Sequence, residues 1–320
     1  MELPARPTIR DRRATAVLAV ALMVGVVIAA ALIGSRLLPR SSAERTALVT
    51  APADSLQPVP TFGHVFVIVL ENRSASSVLG SADAPFLNSL AARFGVADAY
   101  QAVAHPSQPN YLALFSGSTQ GVTDDGVHDV LAPSIADQLE ATGRTWRVYA
   151  ENVPAGCYRG ARSDGGADGP GSYARKHEPA ISFASISDSA TRCANIQPLR
   201  AFDPAAAPFT FIVPNMCHDA HDCPISVADA WLRTFVPRIL DAPAWRDGGV
   251  LFITFDEADG AERAANRVAT IVIAPAVPAG TRSSVPHTHY SLLRTIQTGL
   301  GLDCLAATCQ ANTLGEFFRR

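Results

Sequence analysis

Residues 64–70 read His64-Val-Phe-Val-Ile-Val-Leu70 and run straight into Glu71-Asn72. A continuous apolar, mostly β-branched run of this length marks a strand covered on both faces, as in a parallel sheet. Comparable runs occupy residues 145–149, 209–213, 250–255 and 268–274. Helix patterns lie between them, at 85–94 before Gly95 and at 134–142 between a Ser134 N-cap and Gly143. Two more cover 227–240 behind Ser226, where Pro237 kinks or ends the helix, and 290–300 before Gly301. Strand alternating with helix predicts an α/β fold, a three-layer α/β/α sandwich around a mostly parallel central sheet. The Gly-rich residues 159–172 read as a surface loop, and no internal repeat is visible.

Open parallel sheets bind ligands beyond the carboxyl ends of their strands. Glu71-Asn72 follows the first strand, Asn215 follows residues 209–213, and Asp256-Glu257 follows residues 250–255. Three polar clusters therefore converge on one edge of the sheet. Glu71, Asn72, Asp256 and Glu257 are oxygen ligands suited to one divalent cation, with zinc, calcium, magnesium or manganese all admissible. Their bland alternative is strand-end capping by solvated carboxylates.

Ser107 lies in His105-Pro-Ser-Gln-Pro-Asn110-Tyr. A helix over 108–115 would aim its first N–H groups at whatever Ser107 attacks, and helix N-termini favour phosphate. Alone, Ser107 reads more simply as the cap of that helix. The flanking acids turn the reading toward a metal-assisted serine nucleophile. Asn215-Met-Cys-His218-Asp219-Ala-His221-Asp222 is unusually polar for a post-strand segment. It is suited to hold a second metal, to grip phosphate or to place a proton donor, unless it is merely a disulfide-pinned loop. His287 and His289, at a helix start, can protonate a leaving alkoxide near neutral pH. His64, His128 and His177 have no such company and read as ordinary residues.

The 320 residues carry 17% charged side chains and a formal net charge of -3, which predicts no nucleic-acid surface. Arg6, Arg10, Arg12 and Arg13 precede an uncharged apolar run over 14–34. That length suits a bilayer span, and the basic side stays cytoplasmic. The expected organisation is a cytoplasmic tail (1–13), a transmembrane signal anchor (14–35), a linker (36–62) and an extracytoplasmic catalytic domain (63–320). A cleaved signal peptide, and hence secretion, is the alternative. Proximity pairs Cys217 with Cys223 and Cys304 with Cys309, leaving Cys157 with Cys193, out of 15 connectivities. Zinc binding by Cys217 and Cys223 is the competing reading, weakened by the lack of a C-x-x-C spacing.

These segments together resemble one family: Val-Leu-Glu71-Asn72-Arg-Ser, His105-Pro-Ser107-Gln-Pro-Asn110-Tyr-Leu, Pro-Asn215-Met-Cys-His218-Asp219-Ala-His221-Asp222, Phe-Asp256-Glu257-Ala-Asp-Gly and His287-Thr-His289-Tyr-Ser-Leu-Leu-Arg. The chain resembles the bacterial phosphoesterases that include acid phosphatases and phospholipases C, within the alkaline-phosphatase-like superfamily. That resemblance implies Ser107 as a nucleophile that becomes phosphorylated, with Glu71, Asn72, Asp256 and Glu257 around a metal. The wider superfamily holds a second metal partly through Pro-Asp-x-x-x-His, where this chain has Pro214-Asn215-x-x-x-Asp219. One carboxylate is an amide here and the histidine a carboxylate, so the expectation is a single metal, with Asp219 as a further ligand. Asn110, Asn215, His218 and His221 are then expected to bind substrate, and His105, His287 and His289 to assist catalysis.

The expected activity is metal-dependent hydrolysis of small phosphate monoesters. A phospholipase C-type diesterase and a silent envelope-binding protein that keeps the fold are the rivals. The oligomeric state is not legible.

Overall fold

A computed structural model of the protein describes residues 58–154, 156–166 and 168–318. The expected tail and anchor (1–35) and most of the expected linker lie outside the described residues. Among the described residues no helix is long and apolar enough to cross a membrane.

The fold is mixed α/β, built on an eight-stranded sheet of order β11-β2-β10-β9-β1-β8-β4-β7. Its centre is β1 (His64–Leu70), flanked by β8 (Phe209–Val213) and β9 (Gly249–Phe255), both parallel to it. All of β8 and β9, and β1 beyond its first residue, are buried, so both faces of the central strands are covered. This is what their unbroken apolar runs require. Outward from β8 lie β4 (Arg147–Ala150) and β7 (Ile196–Pro198), again parallel.

On the other side β10 (Ile271–Ile273) runs antiparallel to both β9 and β2 (Gly95–Ala97), and β11 (Thr281–Ser283) pairs with β2 in parallel. The 268–274 run is thus a three-residue strand of reversed direction, a point its apolar composition could not reveal. A small pair joins β3 (Tyr100–Gln101) to β12 (His287–Thr288). The expected loop at 159–172 is instead a hairpin of β5 (Arg162–Gly166) and β6 (Gly169–Ala174).

The expected helices form as α1 (Pro85–Arg93), α2 (Ser107–Ser116), α3 (Ile135–Ala141), α4 (Ile225–Leu240) and α5 (His289–Gly299). Ser134 caps α3 through a reciprocal box with Asp137. Pro237 sits inside α4 without ending it, and Ser226 lies within that helix rather than capping it.

All ten residues of α2 are buried, so it has no solvent face to betray it by periodicity. Its far end is anchored by Phe115, whose ring meets Phe209, Phe211, Trp146 and Phe183 at centroid distances of 5.6–6.3 Å. Gly117 closes the helix in the left-handed region (φ 74°), and a Cβ there would lie 2.4 Å from Leu305 O. These contacts fix the start of α2 at the carboxyl edge of the sheet. Three disulfides, Cys157–Cys193, Cys217–Cys223 and Cys304–Cys309, match the pairing by proximity.

Candidate active site

Parallel register brings the first acids together. Leu70 pairs with Phe255, so Glu71 and Asp256 leave adjacent strands side by side, both fully buried. Asn72 turns the chain at φ 52°, a left-handed conformation that asparagine tolerates better than most residues. That turn aims its N–H at Asp256 Oδ1 (2.9 Å) and its side-chain amide at Glu71 Oε2 (3.2 Å).

Ser107 is the first residue of α2 and does not cap it; Pro106 holds the cap position. Its hydroxyl instead donates to Glu71 Oε2 at 3.0 Å. Tyr111, one turn on, donates to Glu71 Oε1 at 2.5 Å. Asn110 is committed elsewhere. Its Oδ1 accepts from the Val103 and Ala104 N–H groups, and its amide donates to Ala104 O and Pro106 O, all at 3.0–3.1 Å. Rather than facing substrate, it pins the segment that delivers Ser107. Asn110→Ala is expected to lower stability by about 2–3 kcal/mol through these lost buried bonds, read as a fall in thermal midpoint.

His177 occupies the centre of the cluster, although its sequence neighbourhood marks it as ordinary. Its Nδ1 lies 3.1 Å from Asp219 Oδ2, and its Nε2 3.2 Å from Glu71 Oε1, too oblique for a hydrogen bond. Burial opposes charge on both partners, yet each keeps the other ionised. Glu71 is pulled down to about 2 and His177 up to about 10. Burial pushes Asp219 up to about 6, and burial followed by the Glu71 charge pushes Asp256 well above the carboxylate range. Asp219 accepts the His221 N–H at 2.7 Å, and its own carbonyl accepts the Glu71 N–H at 2.7 Å.

The remaining expected residues divide. Glu257 is nearly buried and paired with His105, whose Nε2 donates to Arg263 O at 3.0 Å. His221 joins Glu71 and His177 in a group whose ligand atoms lie within 4.8 Å of one another. Asn215 accepts the Cys217 and His218 N–H groups at 3.0 Å and shapes its loop. A Cβ on Gly171 (φ 113°) would lie 2.5 Å from Asn215 Oδ1, so the β5–β6 hairpin packs directly on that loop.

His218 turns away from the cluster. It pairs with Glu151 at 2.9 Å and stacks on Trp231, in a separate 330 Å³ hollow. His289 is buried and held down to about 4, hence neutral; it donates to Asp256 O at 2.7 Å and accepts from Tyr100 at 3.0 Å. It positions the Asp256 strand end and has no proton to spare. His287 is buried against Glu316 at 2.6 Å, a structural pair.

A divalent cation fits this arrangement. Glu71, Asp219, Asp256 and Glu257 crowd into one buried region, and Asp256 Oδ2 has no hydrogen-bond partner among the described residues. A buried carboxylate oxygen left unpaired is strongly disfavoured unless a cation meets it. His177, with Nδ1 held by a carboxylate, has the orientation of a ligand histidine backed by an acid.

The fold sets a serine hydroxyl at a helix start against buried acids at neighbouring strand ends, residue types that phosphoester hydrolysis calls on. A model described as the Phosphoesterase family matches residues 77–303, and the chain belongs to that family. It is 35% identical over 249 residues to a phosphatidylinositol-3-phosphatase of Mycobacterium tuberculosis, covering 76% of this chain and 79% of that one. It is 34% identical to a phosphate-repressible acid phosphatase of Penicillium chrysogenum, covering 67% of this chain but 54% of that one. A solved alkaline phosphatase superfamily protein from Vibrio parahaemolyticus shares the fold, with a TM-score of 0.52 at 14% identity, over 81% of this chain and 71% of that one. The protein is a hydrolase of phosphoric esters.

Proposed function

We propose that the protein is a metal-dependent phosphate monoesterase that works through a phosphoserine at Ser107, on a three-layer α/β/α scaffold. The observation that carries this is the Ser107 hydroxyl, 3.0 Å from a buried carboxylate whose neighbour Asp256 has an oxygen without partner. Glu71 is held at so low a proton affinity that it is a poor base for a serine hydroxyl. Its role is to orient the hydroxyl and to help hold a cation with Asn72, Asp256, Glu257 and the His177–His221 pair. When bound, a divalent cation supplies a lowered hydroxyl pKa and neutralisation of phosphate charge.

Ser107 Oγ forms a bond to phosphorus as the bond to the departing alcohol oxygen breaks. Solvent water takes the Ser107 proton and protonates that oxygen, since both ring nitrogens of His105 are engaged, by Glu257 and Arg263 O, and those of His221 by Asp222 and Lys176. Water then attacks the phosphoserine, the Oγ–P bond breaks and inorganic phosphate leaves. The names of the relatives, an acid phosphatase and a phosphoinositide phosphatase, favour monoesters. The basic and apolar residues 1–35 favour a single-pass membrane anchor with the catalytic part outside, or secretion if that segment is removed.

The test is turnover of p-nitrophenyl phosphate and p-nitrophenyl phosphorylcholine by the full chain, before and after chelation and with added divalent ions. Monoester turnover that vanishes with chelator and returns with metal is expected. Turnover of the phosphorylcholine diester alone would move the assignment to a phospholipase C-type enzyme.

A further inference from the structure

Resting on the Ser107 reading above, we propose that Lys176 selects phosphate monoesters over diesters by setting its ammonium against the second anionic oxygen of a monoester dianion. Asp125 is the residue that positions it. Two independent routes place Lys176 beside Ser107. On one side its Nζ donates to Asp125 Oδ2 at 2.9 Å, while Asp125 Oδ1 accepts the N–H of Gln108, the residue next to Ser107. On the other side Nζ lies 3.2 Å from Nε2 of His221, which belongs to the Glu71 group. The side chain is only 19% exposed, an unusual position for a lysine that served solubility alone.

The chain leaves phosphate few other donors. Pro109 has no N–H, and Asp125 takes that of Gln108, so the start of α2 has lost most of its usual capacity for an anion. The four nearby carboxylates repel a phosphate dianion more than a diester monoanion. A lysine ammonium is a compact point charge suited to offset the second negative charge. In a diester that second oxygen is esterified and uncharged, so it has no use for the contact.

The experiment compares kcat/KM for p-nitrophenyl phosphate and bis(p-nitrophenyl) phosphate in the full-length wild type, Lys176→Met and Lys176→Arg, with competitive inhibition by inorganic phosphate. Lys176→Met is expected to lose roughly tenfold or more on the monoester, with a smaller change on the diester. Phosphate inhibition is expected to weaken in parallel, and Lys176→Arg to recover most of the loss. Equal losses on both esters, or unchanged phosphate inhibition, overturn the proposal. Where wild type turns over no diester, phosphate inhibition decides. Should Lys176→Met not fold, Lys176→Gln keeps a donor for Asp125 without the charge and gives the same comparison. Ser107→Ala run alongside separates the two ideas, since turnover surviving there sinks the serine mechanism whatever Lys176 does.

Discussion

Ser107→Ala is expected to abolish monoester turnover, by on the order of 10⁴-fold or more, because in the proposed mechanism Ser107 carries the phosphoryl intermediate. The fold should survive. Ser107 contributes one hydrogen bond to Glu71, and Glu71 keeps those from Tyr111 and Asn72. The cost is therefore about 1 kcal/mol of stability. A thermal midpoint within a few degrees of wild type, together with loss of covalent labelling by radioactive phosphate in an acid quench, would support the assignment. Residual turnover near the wild-type rate would show that water attacks phosphorus directly and that Ser107 only shapes the site.

Asp256→Asn is expected to have opposite effects on stability and activity. In the chelated protein at pH 7–8 it should raise stability by roughly 1–3 kcal/mol, because a buried carboxyl that must either carry an uncompensated charge or hold a proton above its unfolded range becomes a neutral amide. The backbone N–H of Asn72 keeps an acceptor, and the oxygen without partner becomes a donor. The sign follows from proton linkage. The folded Asp256 carboxyl titrates well above its unfolded value of 3.8, so the folded state binds the proton more tightly. Wild-type stability then falls as pH rises above about 4, and the advantage of the variant shrinks as pH falls back toward that value. With metal present the order reverses. The variant should lose the metal-induced rise in thermal midpoint and most of its turnover. A chelated Asp256→Asn protein less stable than wild type at pH 8 would mean that the carboxylate is satisfied by contacts other than a cation.

Asn72 illustrates why the two strand-end clusters could be read in advance while their use could not. An acid and an amide after an apolar run are visible in a linear chain. The positive φ that aims the Asn72 N–H at Asp256 arises from the turn, and the pairing of Glu71 with Asp256 arises from the register of β1 and β9. Asn110, His287, His289 and His218 were legible as polar residues in suggestive places. Their partners, namely the loop before Ser107, Glu316, the Asp256 carbonyl and Glu151, are set by packing. Those partners make them supports or place them outside the cluster.

His177 is the clearest omission. It sits in Arg175-Lys-His-Glu178, a charge-rich tetrad with no motif around it, and so reads as an ordinary residue. In the fold it is buried between Glu71 and Asp219, and Lys176 beside it reaches toward the start of α2. A histidine following a lysine in an otherwise unpatterned segment carries no local signal of burial. Tyr111 was hidden for a related reason, since α2 is buried on all sides and shows no polar face from which to judge its direction.

The linear chain was sufficient for the central strands, the five main helices, the disulfide partners and the placing of Glu71-Asn72 and Asp256-Glu257 at strand ends. These depend on apolar runs, caps and spacing, all of which act over a few residues. The three-dimensional packing settled the reversed β10, the β5–β6 hairpin, the short outer strands and the assembly of Glu71, Tyr111, His177, Asp219 and His221 into one buried cluster. Apart from the local β5–β6 hairpin, those features join residues distant in the chain, and their free energy comes from contacts that exist only once the sheet has closed around them.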